Sequence, residues 1–119
     1  MAEAMGSEME KMVRQCIKDC VECHNSCLET SRHCMQMGGK HAEPSHITLL
    51  NDCAEICQTS ADFMLRGSEY IHKVCDVCAE MCDKCAQSCE SIDPNDHRMK
   101  ACANICRTCA GSCRQMAGM

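Results

Sequence analysis

The sequence predicts an all-α fold: an antiparallel up-down-up-down four-helix bundle with a cysteine-lined core, forming one domain over residues 1–119. Three observations carry this expectation. Of 119 residues, 16 are cysteine, and most of them fall into a repeated spacing. Cys16-Cys20-Cys23-Cys27, Cys78-Cys82-Cys85-Cys89 and Cys102-Cys106-Cys109-Cys113 are three copies of C-x3-C-x2-C-x3-C, and Cys53-Cys57-Ser60-Met64 is a degraded fourth. Steps of 4, 3 and 4 average about 3.5 residues, the period of one helix face packed lengthwise in a bundle. Finally, the chain has one Phe, one Tyr and no Trp, and Leu, Ile, Val and Phe together are fewer than the cysteines. Cysteine and the 11 methionines are left to fill or crosslink the interior.

Helix 1 is expected near 8–37. Ser7-Glu8-Met9-Glu10 reads as a capping box and Gly38-Gly39 as its stop. Its inward ladder is Met9, Val13, Cys16, Cys20, Cys23, Cys27, Thr30, Cys34 and Met37. Helix 2, near 46–66, opens after Pro44-Ser45, ends at Gly67, and faces inward through His46, Leu50, Cys53, Cys57, Ser60 and Met64. Helix 3, near 69–91, is expected to be capped by Ser68 and to turn Ile71, Cys75, Cys78, Cys82, Cys85, Cys89 and Ile92 inward. Asp93-Pro94 reads as N-cap plus first-turn proline of helix 4, near 95–116, with Met99, Cys102, Cys106, Cys109, Cys113 and Met116 inside. All 16 cysteines then lie on inward faces, and the connections are short enough for antiparallel neighbours.

Lys18, Asp19, Glu22, Asp76, Glu80, Asp83, Lys84, Lys100 and Arg107 fall on the expected solvated side. With 17 acidic against 12 basic residues and two aromatics, the chain offers nucleic acid neither a basic groove nor a stacking platform. Nor does it carry a basic amphipathic face or an apolar run suited to a membrane. The N-terminal segment has no basic region followed by an apolar stretch, so the reading is a cytoplasmic chain without an export signal. In that reducing compartment, dense cysteine points to metal rather than to disulfides.

Metal accounts for the spacing where other chemistries do not. Neighbours at i and i+4 on one helix project nearly parallel Cβ vectors, a poor geometry for disulfides. The same pairs hold two sulfurs over one patch, a span that one soft ion can bridge. Seven such pairs occur: Cys16/Cys20, Cys23/Cys27, Cys53/Cys57, Cys78/Cys82, Cys85/Cys89, Cys102/Cys106 and Cys109/Cys113. Cys34 and Cys75 remain to complete sites across helices. Thiolates select Cu(I), Zn(II) or iron–sulfur clusters. Four-thiolate zinc sites would leave each site two charges negative in a dry core, whereas roughly one Cu(I) per cysteine keeps the ladder near neutral. An iron–sulfur electron carrier and a zinc or general thiol buffer are the alternatives. Against the former, no C-x2-C-x2-C occurs and no proline follows any cysteine. No cysteine stands apart beside a histidine base, so no enzymatic role is expected.

In these ladders, and in Cys-Ala-Glu-Ile-Cys-Gln-Thr-Ser-Ala-Asp-Phe-Met at 53 to 64, the chain resembles the cytosolic, cysteine-rich copper storage proteins over nearly its whole length. The resemblance implies storage, sequestration and detoxification of many Cu(I) ions in a homotetramer, with the 16 cysteines as metal ligands. A copper chaperone or chelator would be the donor. Ser60 and Met64 depart from a full ladder, so the copper row should thin beside helix 2.

His24 and His72 fall outside the ladders and are expected on the surface. His41, His46 and His97, with Met37 and Met99, gather where helices 1 and 3 stop and helices 2 and 4 start. Imidazole and thioether groups suit a copper entrance there; His33 and Met35 lie beside it. Met9, Val13, Leu65, Ile71 and Met116 are expected to plug the opposite end.

Overall fold

Four α-helices follow one another: α1 (Ala2–Met37), α2 (Pro44–Arg66), α3 (Ile71–Ile92) and α4 (His97–Ala117). The computed structural model describes the backbone of residues 2–119, and side chains at residue 6 and from residue 8 onward. No strand occurs among the described residues. Each helix packs against its two chain neighbours, with α4 returning to α1, which closes an up-down-up-down bundle measuring 55 × 22 × 18 Å.

The helix ends show which local signals act. α1 stops where Gly38 and Gly39 take φ of 70° and 56°, a left-handed backbone that glycine adopts without Cβ strain. A 3-10 helix, Gly39–Ala42, then brings His41 into the structure. Pro44 occupies the first turn of α2, where its missing N–H costs nothing, and Gly67 ends that helix at φ 67°, ψ 40°. The Ser7 capping box falls on a side chain outside the described ones, in a helix whose backbone begins at Ala2.

Two caps differ from expectation. Ser68 does not cap α3: its Oγ accepts from the Tyr70 N–H in a tight turn, and the helix begins at Ile71 without a side-chain cap. Asp93 closes α3 and accepts from the Asn95 N–H, while Asp96 is the true N-cap of α4, accepting from Met99 N–H at 3.0 Å. Asp93-Pro94-Asn95 is thus a turn between helices, as the turn chemistry of these residues favours.

All 16 cysteines are fully buried and free. Leu50, Met64, Met99 and Met116 are the larger apolar side chains among them. Ala54, Ala61, Ala79, Ala86, Ala103 and Ala110 each follow a Cys or Ser ladder position and are buried, so α2, α3 and α4 approach closely through small residues beside the sulfurs.

The periphery departs from the expected inward and outward faces in several places. Asp19, expected in solvent, is buried between Gln15 and Ser112 and hydrogen-bonded to both. Met9 and Leu65 are exposed, and among the described residues Met12, Val13, Met64, Ile71 and Met116 close the end distal to Gly38. The 36 residues of α1 make a helix of about 54 Å against about 32–35 Å for the others, and Met9 and Leu65 line one open groove beside Met64 and Val13. His24, expected at the surface, is half-buried, with Nδ1 2.8 Å from the Ala54 carbonyl oxygen, and ties α1 to α2.

Candidate metal centre

Because each ladder faces the bundle axis, sulfurs from all four helices meet in one row. Cys113 approaches Cys16 at 3.8 Å and Cys20 at 3.6 Å, and Cys20 approaches Cys109 at 3.7 Å. Cys57 continues the row, 3.9 Å from Cys109 and 3.7 Å from both Cys78 and Cys82. Cys82 leads to Cys53 (3.7 Å) and Cys23 (3.9 Å), and Cys23 to Cys106 at 3.7 Å and Cys27 at 4.0 Å. Cys27 reaches Cys85 at 3.9 Å and Cys102 at 4.0 Å. These separations are far beyond the roughly 2.05 Å of a disulfide and suit sulfurs that share an ion.

Groups of four sulfurs mutually within 4.8 Å recur along the row and overlap. Cys23 and Cys53 belong both to a group with Cys57 and Cys82 and to one with Cys27 and Cys106. Cys57 and Cys82 belong again to a group with Cys78 and Cys109. Three of the groups, Cys20-Cys78-Cys109-Cys113, Cys23-Cys53-Cys57-Cys82 and Cys27-Cys85-Cys102-Cys106, are separate sets of the kind a closed tetrahedral site needs, but other groups link them through shared sulfurs. That overlap offers bridging thiolates.

Without metal the sulfurs divide protons between them: hydrogen bonds from Cys106 and Cys109 pull Cys23 down. Hydrogen bonds to Cys102 and Cys106, joined by burial, push Cys27 up, and those to Cys109 and Cys23, again with burial, push Cys82 up. Burial pushes Cys34 up to about 11, aided by the Asp96 charge. At the sulfurs that keep their protons, metal must displace them on binding. Ser26, Thr30 and Ser60 bury hydroxyls without hydrogen-bond partners, each costing about 1–3 kcal/mol, and Ser60 stands at the ladder position where α2 lacks a thiol.

At the end where α4 begins, the row finishes in a different donor set. The Cys34 thiol donates to the Met99 thioether at 3.4 Å and lies 3.5 Å from His46 Nε2. His46 is buried, which pushes its basicity down, and its Nδ1 is 2.7 Å from the Ser88 hydroxyl. A hydroxyl donates or accepts as needed, so Ser88 can hold the tautomer that leaves the Nε2 lone pair facing Cys34.

Met37 and His97 do not join this group; they are exposed. Met37 lies a turn past His33, the level at which α4 starts, so no facing helix covers it. His97 is two residues from inward-facing Met99, about 200° round the helix. Met35 is likewise exposed. His41 is buried one layer outside, with Nε2 3.1 Å from Asp93 Oδ2 and 3.6 Å from Asp96 Oδ2. His33 Nε2 is 2.7 Å from the same Asp96 oxygen. Burial works against the Asp96 carboxylate, but the His33 contact and the Met99 N–H hold it below the usual range. The sequence reading gave no site role to Ser88, Asp93 or Asp96; it took Asp93 for the α4 N-cap, the place that Asp96 holds.

Comparison with known proteins agrees with this geometry. The family model described as copper storage protein matches residues 9–118. A crystal structure of a protein from Nitrosospira multiformis is 47% identical, with a TM-score of 0.85 over 92% of this chain and 97% of that one. A Cu(I)-bound copper storage protein of Bacillus subtilis is 31% identical, with a TM-score of 0.82 over 89% of this chain and 98% of that one. The cysteine-rich protein YhjQ of Bacillus subtilis is 34% identical over 72 residues, 60% of this chain and 67% of that protein. With a row of buried thiols on four helices and a family match spanning almost all of its length, the chain belongs to the copper storage protein family.

Proposed function

We propose that this chain binds and stores many Cu(I) ions inside its bundle, with the 16 cysteines as ligands and no catalytic turnover. The observation that carries this reading is the overlap of the four-sulfur groups. Soft thiolates select soft ions, and one monovalent ion per thiolate leaves a dry core near neutral, whereas isolated divalent sites would not. Cys34, His46 and Met99 form the receiving site at the α4-start end, since imidazole and thioether take up Cu(I) without losing a proton. From there, ions pass along thiols spaced 3.6–4.0 Å apart. The row is sparser beside the last turns of α2, where Ser60 and Met64 replace cysteine.

Sixteen unpaired thiols suit a reducing cytoplasm, which supports that location. No helix is long and apolar enough to cross a membrane. Val21, Leu28 and Met35 are exposed at seven-residue intervals on α1, an apolar stripe that supports association of copies into a homo-oligomer, a tetramer by family resemblance.

The test is anaerobic titration with Cu(I), followed by gel filtration and elemental analysis. Roughly sixteen copper ions per chain are expected, in a colourless d¹⁰ product. Saturation near four ions, the count for separate tetrahedral thiolate sites, would contradict the reading. So would visible absorption from a cluster.

A further inference from the structure

Outside the sulfur row, His33, His41, Asp93 and Asp96 converge where α1, the 3-10 helix, the α3–α4 turn and the first turn of α4 meet. Each of these four segments contributes one residue. His41 is only 6% exposed, yet its Nε2 has no hydrogen-bond partner, because the nearby carboxylates are not aligned to accept from it. That nitrogen lies 3.1 Å from Asp93 Oδ2 and 3.6 Å from Asp96 Oδ2. Asp96 Oδ2 is also 2.7 Å from His33 Nε2. A tetrahedral ion with bonds of about 2.0–2.2 Å holds its ligand atoms about 3.4 Å apart, and the three measured separations bracket that value.

The carboxylate is also pre-oriented. Asp96 Oδ1 accepts from the Met99 N–H as the α4 N-cap, which fixes Oδ2 toward both histidines. A ligand held by its other oxygen is the usual second layer of a metal site. The two imidazole rings stand 6.4 Å apart at 87°, and both Nε2 atoms lie within 3.6 Å of Asp96 Oδ2.

We propose that His33, His41, Asp93 and Asp96 form a second metal site, for a divalent ion of the Zn(II) class, distinct from the thiol row. Two carboxylates and two neutral imidazoles balance a charge of +2, and this hard-to-borderline donor set disfavours soft Cu(I). Held there, the ion would tie all four segments together above the Cys34, His46 and Met99 group.

The experiment starts from chain loaded with Cu(I), its copper measured first by elemental analysis. A failure of the copper reading is thus seen before any divalent ion is added. Co(II) is then titrated as a spectroscopic probe, and Zn(II) in competition with a chromophoric chelator. One equivalent is expected, with weak d–d bands and no sulfur-to-cobalt charge transfer. His41→Gln and Asp96→Ser, the latter keeping an N-cap hydroxyl, should each weaken binding by about tenfold or more while copper capacity stays unchanged. Circular dichroism confirms that each variant is folded, and Asp93→Asn, in the turn outside the helices, serves as a third. Absence of divalent binding to the wild-type chain, sulfur charge-transfer bands, or equal affinity in the folded variants would each overturn the site.

Discussion

Saturating the chain with Cu(I) is expected to raise its thermal midpoint by on the order of tens of degrees. The metal-free core is poor in apolar volume: apart from cysteine and alanine, its buried hydrophobic residues are Leu50, Met64, Met99 and Met116. A thiol seam removes less apolar surface from water than a leucine seam would, at about 25 cal/mol per Å². An ion bound only by the native arrangement adds RT ln(1 + [L]/Kd), about 4 kcal/mol at a thousandfold excess over Kd. Binding of copper to unfolded thiols reduces this, but the preformed row offers several sulfurs to each ion and the unfolded chain does not. For a domain of this size each kcal/mol moves the midpoint by roughly 4 °C, so a few such sites suffice. Calorimetry or circular dichroism melts of metal-free and loaded protein check this. Coincident melts would mean that the folded core has no preferential hold on copper.

Replacing His46 and Met99 together by leucine is expected to slow Cu(I) uptake by about tenfold or more, a barrier increase of roughly 1.4 kcal/mol, while final capacity hardly changes. The sixteen thiols all remain in the double variant. What is lost is the donor set at Cys34, where the thioether lies 3.4 Å and the imidazole 3.5 Å from the thiol sulfur. Cys34 alone is a poor first acceptor, since burial holds its proton on, with a pKa of about 11. Among the described residues no imidazole lies against a thiol at the distal end, which Val13, Met64, Ile71 and Met116 help to close. Stopped-flow transfer from a chromophoric Cu(I) chelator reads the rate. Loading at the wild-type rate would place the way in elsewhere. His97→Leu serves as the internal control, because an exposed side chain pointing away from Met99 should leave the rate unchanged.

The bundle and its sulfur row were legible in the sequence because one constraint wrote both. A residue that must face the axis recurs at steps of 3 and 4, and cysteine marks those steps as visibly as leucine does in an ordinary core. Ladder logic failed where the helix ends decide the outcome. Met37 extends the α1 ladder arithmetically, yet it lies past the level at which α4 begins, so periodicity named it and packing left it in solvent. Asp19 shows the converse: its charge suggested the outer face, but a partner on α4, Ser112, gives its carboxylate a hydrogen bond and allows burial. The Asp93 and Asp96 contacts to His41 depend on how a 3-10 turn and an interhelical turn meet across the bundle end. No local spacing encodes that meeting.

The central claim is that thiolates are shared between neighbouring copper ions along the axis. X-ray absorption at the copper edge of the fully loaded chain tests it most directly. A first shell dominated by sulfur, with a clear copper–copper vector that grows as loading proceeds, is the predicted result. A first shell rich in nitrogen or oxygen, or sulfur-coordinated copper without copper neighbours at saturation, would contradict it.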